Sequence, residues 1–223
     1  MKKLFALLIP MLLITGVAYG GSVVNSKHNM IGGPGPYIPD ADTDQVCVFC
    51  HTPHQTADAT AQDPLWNKQV TQTATFGVYA SPTLDADMSN AEIGGKGAGS
   101  QSVSALCMGC HDGTVAVNSL YRTPSDGGVG VAKKLTGYAN LGTSLSDDHP
   151  INFTYDATLA TKDGGLKPPV SDKRVDNVEP YLPLFEGTLQ CASCHNVHDN
   201  DTYKPFLRSS INGSALCLRC HEK

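Results

Sequence analysis

The sequence predicts a single domain of mostly irregular loops, with short helices, minor β structure and an interior filled by something other than apolar side chains. Three observations carry that reading. The 22 glycines and 14 prolines make 36 of 223 residues, and aromatic residues are only 7%. Few windows hold the 3.6-residue apolar rhythm of a long amphipathic helix. All eight cysteines fall into four C-x-x-C pairs, and a histidine follows every pair.

The opening MKKLFALLIPMLLITGVAYG has two lysines, an apolar run from Leu4 to Val17, and small residues at Ala18 and Gly20. The run is shorter than the roughly 20 residues that span a bilayer, so residues 1–20 read as a signal peptide. The expectation is an exported chain with one domain over 21–223 and no membrane span once the leader is removed. Removing Lys2 and Lys3 takes the 16 basic residues to 14, against 21 acidic ones, a formal charge of −7. With no basic block, this surface does not favour nucleic acid or anionic lipid.

The four words are CVFCH (Cys47, Cys50, His51), CMGCH (Cys107, Cys110, His111), CASCH (Cys191, Cys194, His195) and CLRCH (Cys217, Cys220, His221). C-x-x-C-H is the attachment signature of c-type haem: two thiols add across the two vinyl groups of one porphyrin, and the adjoining imidazole sits under the iron. A disulfide framework or zinc sites would explain the pairs but not the histidine. At 8 histidines in 223 residues, four such coincidences come to roughly one in 600,000. The chain therefore reads as a multihaem cytochrome c with four covalently attached haems c, a core of stacked haems, and His51, His111, His195 and His221 as proximal ligands.

Four histidines remain for the four second axial positions: His28, His54, His149 and His198. Outside the leader the competing methionines number only three, Met30, Met88 and Met108. His54 follows His51 by three residues, as His198 follows His195. On a helical turn such residues share one side, so His54 cannot complete the iron that His51 already holds. Each C-x-x-C-H-x-x-H segment is expected to bridge two haems, with His198 nearest the haem on Cys217 and Cys220, and His54 nearest the haem on Cys107 and Cys110. His149 precedes Pro150, which orients an extended segment; a turn satisfied by Asp147 or Asp148 stays open for it, as does a solvated tail for His28. Two histidines on every iron leave no open position, which points to an electron carrier rather than an enzyme, at low potential without a methionine ligand.

Short helices are expected at the anchors, stopped by Pro53 and by Asp112-Gly113. Gln69 to Ala80 reads as a strand or hairpin arm, and Ile31 to Pro39, Gly94 to Ser100 and Ser125 to Gly130 read as loops. The anchor histidines are 60, 84 and 26 residues apart, the last interval being the tight pair.

The blocks CVFCHTPH, PLWN with YASPTL, LCMGCHDGTVAVN, DHPINFTY, LQCASCHNVHD and FLRSSINGSALCLRCH cover most of the mature chain. In that order they resemble the doubled C-x-x-C-H multihaem cytochromes of metal-respiring bacteria, and among these the extracellular tetrahaem cytochromes whose subunits polymerise into filaments. The resemblance implies a conductive homopolymer at the cell surface or beyond it, exchanging electrons with other multihaem cytochromes and with external acceptors such as Fe(III) oxides. It also implies one axial histidine donated between subunits. His28 is the candidate donor, since an extended amino-terminal segment reaches out most easily; the alternative is that His28 closes a haem of its own chain. Two other functions compete: a soluble periplasmic tetrahaem shuttle or subunit of a larger complex, and a haem enzyme with one five-coordinate iron.

Overall fold

The computed structural model describes residues 23–33, 37–54, 65–73, 75–88, 93 and 102–222. The leader reading of residues 1–20 and the turn at 94–100 lie outside the described residues, as does part of the loop at 31–39.

Regular structure is sparse. Among the described residues helix α1 (Val103–His111) is the longest element, α2 (Ala157–Asp163) and α3 (Cys191–Cys194) are shorter, and two-residue strands β1 (Phe153–Thr154) and β2 (Thr188–Leu189) pair antiparallel. Three of the helical pieces are anchors stopped within a turn: the 3-10 turn Val46–Phe49, α3, and the 3-10 turn Cys217–Arg219. The backbone repeats one device at each of them. His51 N donates to Cys47 O at 2.9 Å, His195 N to Cys191 O at 3.0 Å, and His221 N to Cys217 O at 2.9 Å. That single turn groups both cysteines with the histidine of each word.

Helix α1 starts at Ser102, whose hydroxyl accepts Ala105 N at 3.2 Å, satisfying an otherwise unpaired helix-start donor. It stops where the sequence places a stop, at Asp112 and a left-handed Gly113 with φ 71°. Helix α2 sits where the sequence reading put no element, although Asp156 and Gly164 cap it: Asp156 Oδ1 accepts Leu159 N at 2.8 Å, and Gly164 has φ 68°.

Gln69 to Ala80 does not form the expected strand or hairpin arm. Among the described residues of this region only isolated bridges occur, Lys68 with Leu120 and Gly77 with Ser144. Side-chain chemistry competes with the ladder: Thr71 and Thr73 both donate hydroxyls to the Asp112 carboxylate, Thr73 at 3.0 Å.

Among the described residues, apolar side chains gather in three clusters, each against an anchor. Phe153, Tyr155, Leu159, Val175, Leu182, Leu184 and Leu189 pack with Cys220 beside them. Met30, Ile38, Val48, Phe49, Val117 and Leu135 pack against Cys110. Phe76, Ile93, Met108 and Leu145 form the third. Met30 and Met108 are thus packing residues, buried to 7% and 1% exposure, and Met88 packs against the first cluster.

The fourth anchor is stapled by Arg219, whose guanidinium forms a fork with the Asp176 carboxylate and donates to Val178 O at 2.7 Å. Burial pushes the Asp176 carboxyl up, but the Arg219 bonds outweigh it and hold the group below its ordinary 3.8. A depressed carboxylate contributes stability above its unfolded pKa and loses it as pH falls through the folded value. Arg219→Met is therefore expected to cost about 1–3 kcal/mol, towards the lower end because the Asp176 side chain is 22% exposed. Denaturant melts of the haem-loaded protein at pH 7 and pH 3 check it, with the wild-type advantage shrinking at pH 3.

Candidate functional site

Six of the eight histidines stand in opposed pairs. The ring centres of His51 and His198 are 6.1 Å apart, those of His28 and His111 6.2 Å, and those of His149 and His221 6.4 Å. Metal–imidazole bonds run about 2.0–2.1 Å and a ring centre lies about 1.1 Å beyond its nitrogen, so two imidazoles on opposite faces of one metal have centres about 6.3 Å apart. Each pair contains one anchor histidine and one non-anchor histidine. The centre-to-centre distances are those that two imidazoles on one iron would have.

Further contacts orient these rings. His111 Nδ1 meets Ala139 O at 2.7 Å, and His149 Nδ1 meets Pro150 O at 2.9 Å; a backbone bond also reaches His195 from Pro205. Occupying Nδ1 leaves Nε2 free for a metal, the usual outer contact of a metal-bound imidazole. His28 stacks on Phe206 at 4.5 Å. Burial, then the nearby His111, His195 and His198 imidazoles, lower His28 to about 4, which keeps it neutral and fit to ligate. Burial likewise lowers His198, with His51 adding to the effect.

The pairing differs from the sequence expectation. His198 faces His51 of the first anchor, not the fourth anchor, and the partner opposite His111 is His28, not His54. His149 faces His221. His54 and His195 are both exposed, and among the described residues, which include all eight histidines, neither ring faces another histidine.

The anchors themselves lie edge to edge. Helices α1 and α3 approach through small polar side chains: Ser104 N donates to Gln190 Oε1 at 3.0 Å, and Cys191 N donates to Ser104 Oγ at 3.2 Å. The approach brings the Cys107 and Cys191 thiols close enough to interact, and that interaction lowers Cys191 to about 7 while it and burial raise Cys107. Cys50 lies within electrostatic reach of Cys110, and Cys194 of Cys220. The eight thiols are free of disulfides.

The residues around the first anchor fit a bound porphyrin. A cavity of about 680 Å³ opens beside Cys47 and His51, with Val24, Val46, Val48 and Leu65 in its walls, within the usual range for a bound organic group. Trp66 stands edge-on to His51 at 6.1 Å. Its Nε1 is buried without a hydrogen-bond partner among the described residues, a donor that an acceptor on a bound group would satisfy. Sequence reasoning missed Trp66 and Phe206 as site residues, because an aromatic beside a ligand carries no spacing signal.

Residues 183–223 match the family of the doubled CXXCH motif. The matched stretch holds the third and fourth anchors, and the match supports a multihaem c-type cytochrome with covalently bound haem c, an electron carrier rather than an enzyme. No curated protein matches the chain. No helix among the described residues is long and apolar enough to cross a membrane.

Proposed function

We propose that this chain is an exported tetrahaem electron carrier that polymerises into a conductive filament at or beyond the cell surface, each iron held between two histidines. The observation that carries the reading is the set of three opposed histidine pairs at 6.1, 6.2 and 6.4 Å, with exposed His54 and His195 left over. A fourth pair then forms between chains, His54 of one subunit completing the site of His195 in the next. His54 replaces His28 as donor, because His28 already stands opposite His111. When bound, c-type haem supplies a one-electron Fe(III)/Fe(II) couple. The protein's part is to hold both axial positions with neutral imidazoles, which bars small ligands, and to stack the anchors in the order first, second, third, fourth. What supports close stacking is the Cys107–Cys191 contact and the reach of Cys50 to Cys110 and Cys194 to Cys220. Electrons then pass outward to other multihaem cytochromes or to acceptors such as Fe(III) oxides.

One observation favours a second reading. An anchor histidine whose ring stands opposite no second histidine among the described residues, His195, is also what a haem enzyme with one five-coordinate iron would present. Secreted material decides between them. The proposal expects an intact mass of the mature chain plus four haems, filaments in negative stain, and an EPR spectrum of low-spin haem alone in the assembled state. Dispersed monomers confined to the periplasm would leave the soluble shuttle, and a high-spin signal within intact filaments would leave the enzyme.

A further inference from the structure

Lys68 is wholly buried, at 0% exposure, a placement lysine almost never takes without a partner. Both of its neighbours are pinned to anchors. On one side Asn67 N donates to Cys50 O at 2.8 Å, and the Asn67 side chain donates to Val48 O at 2.7 Å. On the other, Gln69 lies against α1 so closely that a Cβ on Gly109 would stand 3.0 Å from its carbonyl oxygen. The side chain between them is therefore set at the junction of the first and second anchors, and it acts electrostatically on Cys50 and on Cys110. Its one hydrogen bond among the described residues, Nζ to Gln69 O at 3.4 Å, is long. The nearest opposite charge, Asp112, is in reach but already accepts Thr71, Thr73 and Thr114.

We propose that Lys68 is a tuning residue, a buried positive charge between the haem of Cys50 and the haem of Cys110 that raises the reduction potential of both above those carried by the third and fourth anchors. The inference rests on the haem reading of the first two anchors. A nearby cation favours the state that holds one electron more, and in a water-poor interior its field is weakly screened. Lys68 lies on the cysteine side of both anchors, the edge at which a bound porphyrin would carry its thioethers. Propionates leave from the opposite edge, and thiols bonded to vinyl carbons carry no charge, so neither cancels the ammonium. A purely structural role is better served by methionine, which fills similar volume without the cost of desolvating a charge. Burial lowers Lys68 from the ordinary lysine value, and the nearby Cys110, Asp112 and Cys50 act against that.

Potentiometric titration of the haem-loaded chain, followed in the visible band, tests this. In Lys68→Met two of the four Nernst components are expected to move to lower potential while two stay, and Lys68→Arg is expected to keep all four at wild-type values. No movement, a common displacement of all four, or an upward shift overturns the proposal. Should Lys68→Met yield no mature protein, Lys68→Gln, which removes the charge and keeps a polar group, decides, with two components lowered in support and four unmoved components against. The intact mass of the wild-type chain reports separately on whether the first two anchors carry haem.

Discussion

Replacing His54 with alanine is expected to abolish filaments while leaving a folded, fully haem-loaded monomer with one high-spin iron, that of the third anchor. The side chain is exposed, and its ring faces no histidine of its own chain. Thr52 Oγ1 donates to the His54 backbone carbonyl at 3.0 Å, a bond that alanine keeps, so the fold has little to lose. The junction has much to lose, because one coordinate bond is removed at every subunit contact. Weakening each contact by about 3 kcal/mol makes it about 100-fold less populated, and chain length falls with it. His28→Ala supplies the contrast. Its ring opposes His111 inside the chain at 6.2 Å, so the variant is expected to show a high-spin haem as monomer and polymer alike, with filaments retained. Added imidazole restores the low-spin spectrum of His54→Ala without restoring filaments. Full-length filaments from His54→Ala, read by negative stain, would end the donor assignment.

The sequence carried the local chemistry and lost the long-range partners. C-x-x-C-H is a five-residue word, and the turn that groups its side chains is closed by a bond within the word, as His51 N to Cys47 O illustrates. The stops at Pro53 and at Asp112-Gly113 are equally local. The pairing of His198 with His51 spans 147 positions and is set by tertiary packing, which no spacing records. The i, i+3 argument correctly separates His54 from the iron of His51, yet it is silent on where His54 goes. Gln69 to Ala80 shows the opposite failure: its threonines read as strand formers, but Thr71 and Thr73 are consumed by Asp112, a partner some 40 residues away. Lys68 is an ordinary surface residue by type, and only the packing of Asn67 and Gln69 on two different anchors buries it.

A chain synthesised without haem is expected to lack a cooperative fold, the largest effect of all. The described residues hold no single continuous core, only three clusters of four to seven buried side chains, and helices no longer than the nine residues of α1, too short to persist unsupported in water. A tryptophan buries about 150–250 Å², and a porphyrin is at least twice as broad, so each haem contributes roughly 400 Å² and about 10 kcal/mol at 25 cal/mol/Å². The entire stability of a domain is about 5–15 kcal/mol, so losing four such contributions exceeds what any repacking of the clusters restores. Far-UV circular dichroism on a chain with all eight anchor cysteines changed to serine measures it. The expected trace is a sloping, non-cooperative melt, and a sigmoidal transition like that of the haem-loaded protein would show that side chains alone hold the fold.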